Sequence, residues 1–196
     1  MTLLLKRSAK ILFCPRLVRH STACANDLFN KKTEIFKMTG SLTTHGAILG
    51  SFAEVRHVFS QKTVNEFANI CGDNNPLHSD PVFAAGTRFK GTIVHGILVS
   101  SLFSTIFGRS FSGAVYVSQS LRFKRPVHVG VEIVARVEVV HVESKKNGQR
   151  LITCSTTCLV ASPSSSSSPF NSSQETSPSV LVVAVEGEAK VLLPNA

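Results

Sequence analysis

A carboxylate and an imidazole lie five residues apart in the segment Asp73-Asn74-Asn75-Pro76-Leu77-His78. The Asn and Pro residues between them form turns, so the chain can bend and bring both side chains into one small volume. Such a pair can hold a water molecule and pass protons in both directions. Taken alone the pattern is weak, because Asp, Asn and Pro are also ordinary turn residues without any chemistry.

A second candidate group is the backbone N–H of Gly96, near the start of an apolar segment. An N–H at a helix N-terminus can stabilise the negative charge that develops on a thioester carbonyl when a neighbouring proton is removed. Glycine permits close approach of a substrate because it has no Cβ. Tight helix packing explains the glycine equally well, and a helix that begins at Thr92 would enclose this N–H in its hydrogen-bond ladder.

Hydrophobic periodicity predicts the elements that position these groups. A strand is expected at 52–59, followed by a helix capped by Ser60 or by Thr63, which forms a capping box with Glu66. Residues 72–80 are expected to be irregular. The segment 93–107 is apolar on nearly every side, which is typical of a buried helix, with Gly108 marking its end.

The remaining sequence changes to a period of two. Strands are expected at 115–123, 131–142, 150–160 and 180–193, with a hairpin turn at Lys145-Lys146-Asn147-Gly148. An antiparallel sheet wrapped around one buried helix covers both apolar surfaces. The sequence therefore predicts an α+β hot-dog fold.

Several motifs occur in a fixed order along the chain. They are Asp73-x-Asn75-Pro76-x-His78, Gly91-x-Ile93-Val94-His95-Gly96, Ser101-Leu102-Phe103-Ser104 and Leu121-x-Phe123-x-x-Pro126-Val127. Their combination covers most of residues 52–193 and resembles the MaoC-like, R-specific enoyl-thioester hydratases. The resemblance implies a hydro-lyase that reversibly converts (3R)-3-hydroxyacyl thioesters into trans-2-enoyl thioesters. Acyl carrier protein or coenzyme A would carry the acyl group.

The resemblance also implies roles for particular residues. Asp73 and His78 would bind the catalytic water and act as acid and base, and the N–H of Gly96 would polarise the thioester carbonyl. Asn75 and Ser104 match polar positions that line the site, although Asn75 could simply hold the turn and Ser104 could bond its own helix. No metal or redox cofactor is implied, and a homodimer is expected.

Two assignments remain open at this stage. His95 is counted with the substrate-binding residues because it adjoins Gly96, but local hydrogen bonding that shapes the turn is the favoured interpretation. Arg122, Lys124 and Arg125 form a basic cluster beside the predicted sheet. The cluster is either a solvated sheet edge or a landing patch for the phosphates of coenzyme A or for an acidic carrier protein.

Positive charge is concentrated at the N-terminus. Residues 1–37 hold eight Lys or Arg against two acids, which accounts for +6 of the net charge of +9, and the first 26 residues contain no acid. This composition is typical of a mitochondrial transit peptide, so we expect the mitochondrial matrix. Residues 38–50 are expected to be a linker, 51–194 the hot-dog domain, and 162–179, with ten Ser and three Pro, a disordered loop.

Other functions compete with the dehydratase. A hot-dog acyl-thioesterase would use the carboxylate to direct water at the thioester carbonyl. A non-catalytic thioester-binding module, or a basic nucleic-acid binder, would need no proton transfer. The nucleic-acid interpretation is disfavoured because the positive charge lies mostly in the predicted leader, and no membrane association is expected. The five cysteines show no Cys-x-x-Cys pair and are expected to be reduced.

Overall fold

A single antiparallel sheet and one long helix form the framework of the domain. A computed structural model describes residues 37–42, 47–146, 148–161 and 180–194. The strands in these residues are β1 Met38–Gly40, β2 Phe52–Val58, β3 Val115–Phe123, β4 Glu132–Ser144, β5 Arg150–Ala161 and β6 Leu181–Leu193. The helices are α1 Gln61–Cys71, α2 Pro76–Ser79, α3 Pro81–Gly86 and α4 Gly96–Ser110.

The strands lie in the order β1-β2-β4-β5-β6-β3, and every neighbouring pair is antiparallel. Alternate residues of β5 are buried, as expected for a sheet with one face against the core. The predicted strand at 115–123 has the predicted bounds, and the other predicted strands agree to within two residues. The expected hairpin turn joins β4 to β5, with Ser144 paired to Arg150.

Helix α4 packs against the sheet and supplies much of the core. Its buried residues are Leu98, Val99, Leu102, Phe103, Ile106, Phe107 and Ser110. The helix is nevertheless exposed along one stripe that includes Ile97, Ser101, Ser104 and Gly108, so the prediction of burial all round was wrong. The stripe follows helical spacing, which indicates one continuous face turned away from the sheet.

The predicted bounds of this helix were also wrong. Before it, Ile93 makes an isolated antiparallel bridge with His128, and the N–H of Val94 donates to the carbonyl of Val127 at 2.8 Å. These pairings keep the segment extended, so the helix begins at Gly96 instead of Ile93. It continues through Gly108 and ends at Ser110.

The segment before α4 contains more helix than the sequence indicated. Ser60, not Thr63, caps α1, because its hydroxyl accepts from the N–H of Thr63. The expected irregular region includes α2, which begins with a proline and is capped by Asn75. A further short helix, α3, begins with Pro81 and is capped by Asp80. Proline at the first helical position fits because its missing N–H would have no partner there.

The segment 38–50, expected to be a linker, contributes to the domain. It contains β1, which pairs with β2, and Leu42 and Ala47 are buried in the core. The predicted transit peptide, apart from Lys37, and the predicted Ser/Pro-rich loop at 162–179 lie outside the described residues. Among the described helices, none is both long enough and apolar enough to cross a bilayer. The architecture confirms the predicted α+β hot-dog fold.

Candidate active site

The loop between α1 and α2 carries the first candidate group, Asp73. Gly72 ends α1 in the left-handed region, with φ of 79°, and its N–H donates to the carbonyl of Ala68. A glycine suits this position because residues with a Cβ rarely adopt positive φ. The side chain of Asn75 then accepts from the N–H of Leu77 at 3.0 Å and starts α2. The tight turn returns His78 toward Asp73.

The two candidate side chains face each other across a gap. Oδ2 of Asp73 lies 3.9 Å from Nε2 of His78, and the side chains are 55% and 12% exposed, respectively. The opposite ring nitrogen, Nδ1 of His78, lies 2.7 Å from the carbonyl oxygen of Ile93. A carbonyl only accepts, so Nδ1 carries the hydrogen. In the neutral ring Nε2 is therefore an acceptor, as is the carboxylate opposite it.

His95 joins this loop to the start of α4. It is 3% exposed, and its Nε2–H donates to the main-chain carbonyl of Asp73 at 3.0 Å. Its ring stacks on His78 with centroids 3.7 Å apart and meets the edge of Phe67 at 5.1 Å. Nδ1 of His95 is buried without a hydrogen-bond partner in the described residues. These contacts agree with the local, turn-shaping interpretation.

Gly96 is the first residue of α4, so its N–H has no acceptor within the helix. The residue directly beyond it in space is Phe123. A Cβ added at Gly96 would lie 2.6 to 3.0 Å from three atoms of the Phe123 ring. Glycine therefore lets the aromatic ring approach the helix terminus, and Gly96 and His78 line the same cavities.

Two cavities flank this helix terminus. One, of about 340 Å³, is lined by His78, Gly96 and Ile97 together with Phe123 and the basic residues Arg88, Lys124 and Arg125. The other, of about 260 Å³, is lined by the same first three residues together with Phe67, Cys71, Asp73 and His95. His78 and Gly96 thus border both cavities, which puts the candidate groups where a ligand from either side would reach them.

The cluster also has the composition of a possible metal site. One ligand atom each from Asp73, His78 and His95 lie within 4.8 Å of one another. However, one nitrogen of each ring is already bonded to a main-chain carbonyl. The atoms of the cluster without such a bond are Oδ2 of Asp73, Nε2 of His78 and the buried Nδ1 of His95. Two of them, Oδ2 of Asp73 and Nε2 of His78, face each other across the gap and can exchange protons with a bound water.

The sequence profile of the MaoC-like domain matches residues 43–160. The chain belongs to the MaoC-like domain family. It is 37% identical over 147 residues to a protein of Arabidopsis thaliana named mitochondrial 3-hydroxyacyl-[acyl-carrier-protein] dehydratase, covering 75% of this chain and 78% of that protein. It is 45% identical over 100 residues to an (R)-specific enoyl-CoA hydratase of Aeromonas caviae, covering 50% and 75%.

Solved structures agree with this MaoC-like assignment. The (R)-hydratase of A. caviae involved in PHA biosynthesis superposes with a TM-score of 0.61 at 37% identity, covering 75% of this chain and 97% of that one. The R-hydratase PhaJ1 of Pseudomonas aeruginosa gives a TM-score of 0.61 at 25% identity, covering 82% and 90%. Both comparisons support the hot-dog fold of the MaoC-like domain.

The MaoC-like domain brings together four of the residues singled out in the sequence: Asp73, His78, His95 and Gly96. Asn75 holds the turn through its cap and lines neither cavity. Ser104 lies eight residues along α4, roughly 12 Å from Gly96 at 1.5 Å per residue, and lines neither of these two cavities.

The predicted basic cluster is divided. Lys124 and Arg125 line the larger cavity, whereas Arg122 does not and lies 3.8 Å from Glu186.

Other residues of the site carried no signal in the sequence. Nε2 of Gln61 donates to the carbonyl of His78 at 2.6 Å, and its Oε1 accepts from the hydroxyl of Thr92 at 2.9 Å. Gln61 thereby ties α2 to the segment before α4. Arg88 lines the larger cavity from the turn after α3. The sequence pattern indicated neither residue, because Gln61 meets His78 and Thr92, and Arg88 reaches the cavity, only once the chain folds back on itself.

Proposed function

We propose that this chain is a (3R)-3-hydroxyacyl-thioester dehydratase, a hydro-lyase that also hydrates trans-2-enoyl thioesters. The observation that carries the proposal is the 3.9 Å gap between Asp73 and Nε2 of His78, beside the helix-terminal N–H of Gly96. The chemistry matches the activities in the names of the relatives from A. thaliana and A. caviae.

The gap suits a water molecule. A separation of 3.9 Å is too long for a direct hydrogen bond but short enough for one oxygen to contact both groups. Because Oδ2 of Asp73 and Nε2 of His78 are both acceptors in this tautomer, water donates one hydrogen to each. Its lone pairs then point away from both residues, toward the position where a substrate lies against Gly96.

The same residues can catalyse hydration and its reverse, dehydration. In hydration, the water oxygen bonds to C3 of the enoyl thioester as one of the two acceptors takes a proton from it. The electrons of the C2–C3 double bond move to the thioester carbonyl, whose oxygen is stabilised by the N–H of Gly96. The Asp73–His78 pair then delivers the proton it took from water to C2, which completes the addition of one water and restores both residues. Dehydration is the reverse sequence, with the same residues exchanging acid and base roles.

We further propose the mitochondrial matrix as the site of action and acyl carrier protein as the physiological carrier, in mitochondrial fatty-acid synthesis. Relatives in A. thaliana and Solanum lycopersicum are both named mitochondrial 3-hydroxyacyl-[acyl-carrier-protein] dehydratases. The basic, acid-free N-terminus of this chain agrees with import. N-terminal sequencing of protein isolated from mitochondria tests this, since an intact Met1 would contradict cleavage.

A homodimer is part of the same proposal. β3 lies at the edge of the sheet, and its side chains Val115, Val117 and Phe123 are about half exposed. An apolar edge strand favours antiparallel pairing with a second copy, which would cover these side chains and extend the sheet. Sedimentation equilibrium of the full chain should give twice its mass of 21.1 kDa; a monomer at micromolar concentration would argue against the pairing.

The decisive assay is hydration of crotonyl-CoA by the full-length chain, followed by loss of enoyl absorbance and coupled to stereospecific 3-hydroxyacyl dehydrogenases. We expect the R product alone. Asp73→Asn removes the carboxylate without changing shape and should lower kcat/KM by about 10³-fold. Asp80→Asn makes the same chemical change at the cap of α3, two residues beyond His78, and should leave activity near wild type, because Asn caps as well as Asp.

The outcomes separate the candidate functions. An S product, or equal losses in both variants, would contradict the proposed roles. Release of free thiol without hydration would favour a thioesterase. A folded protein that neither hydrates nor hydrolyses short, long or carrier-bound thioesters would leave the non-catalytic binding module as the explanation.

A further inference from the structure

The larger cavity beside Gly96 has a positively charged lining. Its lining includes the cations Arg88, Lys124 and Arg125, and no Asp or Glu of the described residues lines it. The other lining residues besides His78 and Gly96 are apolar, among them Phe89, Ile97, Phe123 and Val185. An apolar cavity with cations in its wall fits a ligand that is largely uncharged but carries an anionic group at one end.

Hydrogen bonds hold the main chain of the segments that carry these cations. The N–H groups of Lys124 and Arg125 both donate to the carbonyl of Ala184 in β6, at 2.8 and 3.2 Å. Arg88 follows α3 in a turn held by Thr87, whose hydroxyl accepts from the N–H of Phe89 at 3.2 Å. The guanidinium of Arg88 lies 4.8 Å from the centre of the Phe89 ring. Separate elements therefore present positive charge to one cavity.

Ion pairing distinguishes Arg88 and Arg125 from Lys124 and Arg122. Glu186 lies 2.9 Å from Nζ of Lys124 and 3.8 Å from Arg122, so it offsets charge on that side of the cluster. Arg88 and Arg125 have no carboxylate partner among the described residues. The uncompensated charge therefore faces the cavity and not the neighbouring surface of β3.

We propose that Arg88, Lys124 and Arg125 bind the phosphate of the phosphopantetheine arm that carries the acyl thioester. The inference rests on the proposed function and extends it to the recognition of the carrier. Coenzyme A and acyl carrier protein both present their acyl groups on this arm, so one site serves either carrier. The apolar cavity takes the pantetheine chain, which brings the thioester to Gly96 and His78.

Binding of saturated thioesters tests the site without requiring turnover. Butyryl-CoA, butyryl-phosphopantetheine and butyryl-pantetheine are titrated calorimetrically into the full-length chain and into variants. Arg88→Ala/Arg125→Ala should weaken binding of the first two by about tenfold, since each exposed charge pair contributes up to about fivefold. Binding of butyryl-pantetheine, which has no phosphate, should be unchanged. Arg122→Ala is the matched control and should bind all three as wild type does.

Other outcomes overturn the proposal. Equal weakening for all three thioesters would indicate a general loss of the cavity, and weakening for butyryl-CoA alone would assign the cations to the nucleotide phosphates. An effect of Arg122→Ala as large as that of the double variant, no effect of the double variant, or no binding by wild type would also contradict it. The melting temperature of the double variant and of Arg122→Ala is measured as well, so misfolding is recognised. Hydration of crotonyl-CoA by wild type tests the proposed function separately.

Discussion

The two ends of helix α4 lie in different surroundings. Its N-terminal end belongs to a polar rim, which we define as the loop 72–78 with His95 and Gly96. Its middle and C-terminal end belong to the helix–sheet core, with Phe103, Ile106 and Phe107 fully buried or nearly so. Few contacts anchor the rim, and each is a directed hydrogen bond or a ring contact. The core is held by many undirected apolar contacts.

Substitutions in the core and in the rim should affect different properties of the protein. A change in the core removes apolar contacts and leaves a cavity, which lowers the free energy of unfolding. Under the proposed function, a change in the rim removes a group that touches substrate, which should raise the barrier to reaction while leaving stability nearly intact. The same helix should therefore yield two separable classes of variant.

The largest effect on stability is expected for Phe103→Ala. Phe103 is 0% exposed in the core, and truncating a buried Phe typically lowers the free energy of unfolding by about 3–5 kcal/mol. Ser104→Ala, at the exposed next residue, should stay within about 0.5 kcal/mol. Denaturant unfolding of both variants measures this. If the two lose similar stability, the core and the exposed face of α4 do not differ as described.

A smaller effect, on activity, is expected for Gly96→Ala. The added methyl group would lie against the Phe123 ring and narrow the approach to the N–H, so we expect kcat/KM to fall on the order of tenfold to a hundredfold.

Gly108→Ala is the matched control on the same helix. A Cβ at Gly108 meets nothing within 4 Å, so this variant should keep its activity and gain about 0.5–1 kcal/mol of stability. Steady-state kinetics and unfolding are measured for both variants. Equal activity in the two would remove Gly96 from the site.

The smallest expected effect is a difference in how fast the cysteines of the described residues react with a thiol reagent. Burial raises the pKa of the Cys154 and Cys158 thiols to about 12, whereas Cys71 is exposed and lines the smaller cavity. At pH 7.5 the buried thiols hold almost no thiolate, the reactive form, so N-ethylmaleimide should modify Cys71 and spare them. Reactivity of all three should appear in denaturant. Peptide mass spectrometry resolves the sites; native labelling of Cys154 as fast as Cys71 would contradict the described core.

Local patterns predicted the core better than the rim. The period-two pattern predicted β5 to within one residue of its observed bounds, and alternate residues of that strand are buried against the core. The start of α4 was mispredicted because apolar residues such as Ile93 and Val94 are compatible both with a helix and with an extended segment. A hydrogen bond to Val127, more than 30 residues away, decides between these conformations.

The sequence indicated which residues belong to the rim, but it did not indicate how their side chains are arranged. The Asp73–His78 spacing indicated a proton-transfer pair, and the glycine near the start of the apolar segment indicated the N–H of Gly96. The orientation of the pair depends on the carbonyl of Ile93 and on the ring of His95, which approach from another part of the chain. The basic cluster was predicted from adjacency in sequence, so Arg122 was included and Arg88 was not. Only the folded turns reveal which cations share a cavity.

The connection between β5 and β6 begins and ends at adjacent positions on the sheet, because Ala161 pairs with Leu181. Loop-closure entropy grows only with the logarithm of loop length, and a connection of this size costs roughly 1 kcal/mol more than a four-residue one. The pairing of β5 with β6 extends over twelve positions. The sheet, not the connection, therefore sets the register, which leaves the length and composition of residues 162–180 free to diverge between related proteins.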